Sequence, residues 1–318
     1  MVRTSDGEER GGKITSVSPF PFTVRRFPYD DRKGAEIWPN GARMAMFIYT
    51  CPEEWEWGKK EPLSPPGTYV VPGEPSSGLS TRSAVNFGFE VGLRRLRDIF
   101  KQHDMKMTLA TTGNACELHP EIIKELSDLG HEIAAHGFSE GTPPSFLSRE
   151  EQRKDIENSL SIIMSLTGKR PKGWWSPAAL CDANTIELLA EAGLLYHGDL
   201  QDDELPYFID TNAGTIVEIP YNMVVNVNDF FVFITARRST SENLAYLKST
   251  FDAYYEAAGT TPLYMIYGTH PFVSGRPDTA YCFSKFLEYV QQKKEVWFPS
   301  YTQAAEWWQS RYGKGYGR

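Results

Sequence analysis

The chain is poor in cysteine. Its four, Cys51, Cys116, Cys181 and Cys282, are spread across 318 residues without a CxxC pair, a pattern that suggests neither a disulfide framework nor a thiolate zinc site. They read as small buried hydrophobes. No apolar run approaches the ~20 residues a spanning helix needs, and Met1 to Arg26 lacks the apolar stretch of a signal peptide, so a cytoplasmic location is expected. Positive charge is also scarce: 33 Lys and Arg face 41 Asp and Glu, for a formal net charge of -8. Without a basic stripe to neutralise phosphates, neither nucleic acid nor an anionic membrane is an expected partner.

What is present is a globular composition, 41% hydrophobic and 13% aromatic, long enough for one large α/β domain. Residues 1–37 read as an N-terminal arm lying on the domain or on a neighbouring subunit. Residues 38–312 show no break in composition and form one domain. Within it, residues 55–87 are thick with Pro, Gly and Ser, and a loop that long is usually functional or disordered; its Trp55, Trp57 and Tyr69 favour a lid or subunit contact. Beyond it, helical patterns such as VGLRRLRDIFKQH and HPEIIKELSDLG alternate with short apolar strands such as MKMTLAT and HEIAAHG. That rhythm predicts a parallel sheet or (β/α) barrel.

In such a fold the chemistry gathers where strands end. The strand ends carry CPEEW (51–55), HGFSEG (136–141), WWSP (174–177), HGDLQDD (197–203) and GTHPF (268–272). His131 and His136 are five apart on one strand and so face opposite sides. His131, at the strand's start, reads as a satisfied core or interface histidine; His136, at its exit, is the functional candidate. Glu140 lies four residues on, close enough to share an ion with His136 if the turn is helical. Trp174 and Trp175 must also divide between faces, and Trp175, nearer the strand end, is expected to line the pocket. Asp199 either orients the acid histidine or caps the next turn, and Asp202 and Asp203 read as turn residues.

The chain resembles the polysaccharide deacetylases of the NodB-homology type, over about residues 38–310, and especially their allantoinase-like branch. In the deacetylases an Asp-Asp pair ends the first strand, an HxxxH loop supplies two zinc ligands and a histidine ends the last strand as general acid. Glu53-Glu54, His136 with Glu140, and His270 stand at the matching places. WPNGARMAMFIYTCPEE, LQDDELPYFI and THPFVSGRP are similar to segments of the allantoinase-like branch. The resemblance implies an α/β fold, a distorted (β/α) barrel of about seven parallel strands. It also implies a hydrolase of non-peptide C–N bonds with Glu53 and His270 catalytic, Trp175, Pro177 and Asp199 at the substrate, and Glu54, His136 and Glu140 toward a metal.

Two departures, Glu140 for the second histidine and Glu-Glu for Asp-Asp, keep zinc dependence from carrying over: the expected cofactor is one divalent metal, zinc, or none. Hydrolysis needs a base for the attacking water, a stabiliser for the oxyanion and an acid for the leaving nitrogen; Glu53 or Glu54 can be the base and His270 the acid. A small amide, cyclic amide or ureide is the expected substrate and a homo-oligomer the expected assembly. The alternatives are a deacetylase of N-acetyl sugars, such as chitooligosaccharide or peptidoglycan, and a binding protein on a decayed barrel, which the loss of one imidazole would favour.

Overall fold

The computed structural model describes residues 20–63, 78–221, 227–236 and 238–313. Its strands are β1 (Thr23–Arg25), β2 (Met44–Thr50), β3 (Thr108–Thr111), β4 (Glu132–Ala135), β5 (Gly173–Trp174), β6 (Tyr196–His197), β7 (Tyr207–Thr211), β8 (Gly214–Glu218), β9 (Val227–Asn228), β10 (Leu263–Thr269) and β11 (Val296–Trp297). They form one sheet in the order β1-β7-β8-β6-β5-β4-β3-β2-β10-β9, with β11 paired to β2. From β8 to β9 every pairing is parallel, which gives eight parallel strands along this path, and β7 joins antiparallel to both β1 and β8. The result is a mixed α/β architecture built on a parallel sheet; among the described residues β8 and β9 do not pair across the gap.

MAMFIYT of β2 and LYMIYGT of β10 are buried at every position, as expected for strands covered on both faces. Alternation sends their side chains to two cores. Met44, Met46 and Ile48 join residues of the flanking helices, including Leu96, Phe100, Ile123 and Ile163. Ala45, Phe47 and Tyr49 join an aromatic interior containing Trp175, Tyr196, Tyr221, Tyr264 and Tyr301. The same alternation divides the tryptophan pair, placing Trp174 in the first core and Trp175 in the second.

Local signals set the helices. Helix Arg149–Thr167 opens on a capping box between Ser148 and Glu151 and closes at Gly168, whose φ of 71° is left-handed. The expected loop at 55–87 is partly helical: Leu79–Phe87 is an α-helix that continues through a π-type turn at Gly88–Gly92 into helix Leu93–Gln102. Trp55 is buried in the domain itself, and Tyr69 lies outside the described residues. Of the arm, β1 extends the sheet beside β7, where Arg26 and Arg32 pair with Asp203 at 3.2 and 2.8 Å.

Candidate active site

The site lies where β2, β4, β5, β6 and β10 end. Pro52 closes β2 to further pairing and is followed by Glu53 and Glu54, both buried. Pro271 takes the chain out of β10 directly after His270, which becomes the residue preceding a short helix, Pro271–Ser274. Glu53 Oε1 lies 3.1 Å from His270 Nε2. On the other side of the ring, His270 Nδ1 lies 2.5 Å from Asp229 Oδ1. The Asp229 carboxylate is fixed in turn by the His270 backbone N–H at 2.6 Å and the Ser274 hydroxyl at 2.7 Å. Burial works against the imidazolium, but Glu53 and Asp229 outweigh it and raise the pKa of His270 to about 10. At neutral pH this histidine is a cation between two carboxylates.

Opposite stands His136. Its Nδ1 lies 2.9 Å from the carbonyl of Trp175 and donates to it, which leaves Nε2 bare in the neutral ring. Nε2 lies 2.9 Å from Glu140 Oε2, and neither buried atom has another partner. Glu140 Oε1 accepts from the Ala178 N–H at 3.2 Å; Ala178 and Ala179 hold left-handed φ values of 52° and 55°, a strained turn that aims this amide at the site. Burial and the charge of Glu53 raise the Glu140 pKa to about 7, against the pull of His136.

Glu53, His136 and Glu140 each offer a ligand atom within 4.8 Å of the others. One imidazole and two carboxylates converging on one point are a donor set that fits a divalent cation. Glu54, expected at the metal, is not part of this group. Its Oε1 accepts from the Trp55 N–H at 3.0 Å and the Trp57 indole at 2.6 Å, and its Oε2 lies 3.0 Å from His119 Nε2. With both oxygens committed to a loop and to a histidine stacked on Phe89, Glu54 faces away, and Glu53 takes the place expected of it.

Between the two halves is a cavity of about 40 Å³, lined among others by Tyr49, Cys51, Trp175, Asp199, Tyr221 and Asn228. Burial and the neighbouring Glu53 push the Cys51 thiol well above its ordinary pKa, so it is a neutral wall. Trp175 and Asp199 line the cavity. Pro177 does not: its ring packs on Gly137, where a Cβ would meet Pro177 Cγ at 3.1 Å. Asp199 does not orient His270; it accepts from the Ser176 N–H at 2.8 Å and binds His197 Nε2 at 2.8 Å. His131 lies at the other end of β4, accepting from the Met107 N–H at 3.2 Å, with its pKa lowered to about 4 by burial and nearby Lys106. Larger clefts of about 500 and 410 Å³ are lined by surface ion-pair residues such as Arg153 and Glu191, or by lysines around Ser127. The second also includes His131 and Glu132, whose carboxylate accepts from the Thr108 and Tyr196 hydroxyls and the Thr302 N–H.

Sequence reasoning missed Asp229. It follows β9, which is two residues long and too short to show a period; only the question of what holds the second nitrogen of His270 would have pointed to it.

Residues 85–197, which contain His136, Glu140, Trp175 and Pro177, match the family model for polysaccharide deacetylase. Over that segment the chain is similar to the polysaccharide deacetylases. Members of this deacetylase family are hydrolases of non-peptide C–N bonds. The peptidoglycan deacetylase of Helicobacter pylori is 25% identical over 253 residues, 69% of this chain and 84% of its own. Among solved structures, a probable polysaccharide deacetylase of Pseudomonas aeruginosa PAO1 is 28% identical with a TM-score of 0.78, covering 87% of this chain and 95% of that one. Puue allantoinase is 27% identical, also with a TM-score of 0.78, covering 87% and 94%. Among the described residues, no helix is long and apolar enough to cross a membrane.

Proposed function

We propose that this chain hydrolyses the C–N bond of a small amide, cyclic amide or ureide at the cavity between Glu53, His270 and His136. The observation that carries the reading is the row Asp229–His270–Glu53 ending on that cavity. Glu53, the better placed of the paired glutamates, takes a proton from the attacking water as its oxygen bonds the carbonyl carbon. His270, cationic at neutral pH, then gives its Nε2 proton to the leaving nitrogen as the C–N bond breaks, releasing an acid and an amine. Asp229 holds Nδ1–H and so keeps Nε2 turned to the substrate. Trp175 fixes the tautomer of His136 through its carbonyl.

Glu53, His136 and Glu140 would hold a divalent metal; when bound, it supplies Lewis-acid polarisation of the substrate carbonyl. Small size of the substrate is supported by the likeness to the allantoinase over most of both chains. A second reading, removal of acetyl groups from an N-acetyl sugar polymer, draws on the peptidoglycan deacetylase relative. A hydrolysis screen of ureides, hydantoins, cyclic imides and N-acetylglucosamine oligomers separates them. Turnover of the small compounds alone supports the proposal, and turnover of the oligomers alone supports the second reading.

A further inference from the structure

Behind the Trp175 wall lies a second polar cluster that the proposed hydrolysis does not use. His197 and Glu218 stand side by side because β6 and β8 pair in the register His197↔Glu218. His197 Nδ1 donates to Glu218 Oε2, and the other oxygen of Glu218 accepts from the Leu200 N–H at 2.9 Å. His197 Nε2 lies 2.8 Å from Asp199 Oδ2, while Asp199 Oδ1 accepts from the Ser176 N–H at 2.8 Å. The side chains of His197, Asp199 and Glu218 are fully buried. Cys181, half-buried, completes the group: its sulfur, His197 and Asp199 offer ligand atoms within 4.8 Å of one another.

We propose that Cys181, His197 and Asp199 form a second divalent-cation site, of the soft, zinc-binding kind. Three features point to it. The ligand types, one thiolate, one imidazole and one carboxylate, are those zinc favours. A carboxylate holds the far nitrogen of the imidazole, the outer-shell arrangement of a metal-binding histidine, and the Nε2 proton shared with Asp199 Oδ2 at 2.8 Å occupies the place the ion would take. Each remaining oxygen of the two carboxylates is pinned by a backbone amide, so only the three converging atoms are left to bind. With metal–ligand bonds of ~2.0–2.1 Å in tetrahedral geometry, Nε2 and Oδ2 would stand ~3.3 Å apart. The pair therefore opens by about half an ångström on binding. On loading, the ion displaces to solvent the thiol proton of Cys181 and the Nε2 proton that His197 shares with Asp199. The site anchors the Trp175–Ala178 segment, and with it the carbonyl that orients His136.

Cobalt(II) tests this because a thiolate ligand gives it a sulfur-to-metal charge-transfer absorption, which the Glu53, His136 and Glu140 group, having no sulfur, does not give. Cys51, which with Glu53 and His270 makes a further close group, is controlled by Cys51→Ser. The full-length chain is stripped with a chelator and titrated with cobalt(II). The proposal expects the band in the wild type and in Cys51→Ser, and its loss in Cys181→Ser. No band in the wild type, a band that survives Cys181→Ser, or one lost in Cys51→Ser would each overturn it. A measurement that needs no variant accompanies these: zinc should slow alkylation of Cys181 in the wild type at least tenfold, read by peptide mass spectrometry, and an unchanged rate counts against the site.

Discussion

Asp229 Oδ1 lies 2.5 Å from His270 Nδ1, and Glu53 Oε1 lies 3.1 Å from Nε2 of the same ring. An aspartate placed this way fixes a tautomer and stabilises a cation. Asp229→Asn is therefore expected to lower kcat by roughly 10² or more while the chain stays folded. The fold is checked by circular dichroism and the rate by product release. A variant with wild-type kcat would remove Asp229 from the account.

The pKa of His270, about 10 against an ordinary 6.5, has a consequence for stability. Between those values the folded chain keeps a proton that the unfolded chain has lost. The contribution is therefore complete below about pH 6.5 and disappears as pH rises toward 10. Urea denaturation across this range should show a wild-type decline that His270→Asn does not share. Parallel curves for the two proteins would mean that the folded-state pKa is ordinary.

Much of this was legible in the sequence because strand ends are easy to find. β2 and β10 are apolar runs stopped by proline, and each stop delivers a functional candidate, Glu53 or His270. The division of His131 from His136, and of Trp174 from Trp175, follows from the two-residue period alone. Glu54 was not legible, since beyond Pro52 the chain is irregular and no period says which glutamate turns inward. Nor was the pairing of His197 with Glu218, 21 residues apart, which depends on β6 lying beside β8 while β7 turns back on the other side. The β7–β8 hairpin hid that adjacency, because LQDDELPYFI carries more turn residues than strand signal.

Glu54 should behave as a structural residue. Glu54→Ala leaves the Trp55 amide and the Trp57 indole without their acceptor, at a cost of ~1–3 kcal/mol for each group that stays buried and unpaired. A fall of that order in unfolding free energy is expected, with residual turnover at least tenfold above that of Glu53→Gln. The reverse order of the two variants in kcat would return Glu54 to the chemistry.

Gly198 tests the Trp175 wall. A Cβ at this position would lie 2.1 Å from Trp175 Nε1, so Gly198→Ala must push the indole against Tyr49 and Tyr301, whose ring centroids are 4.7 and 4.6 Å away. Overpacking of this kind costs ~1–3 kcal/mol. Because the Trp175 carbonyl orients His136, activity should fall along with stability. A variant as stable as the wild type would show that the wall yields freely.

The most direct measurement is kcat of Glu53→Gln beside the wild type, on whichever small amide or ureide the substrate screen finds turned over. The account predicts a loss of roughly 10² or more, as for removal of a general base, with an unchanged circular dichroism spectrum. A Glu53→Gln protein that turns over at the wild-type rate would contradict it.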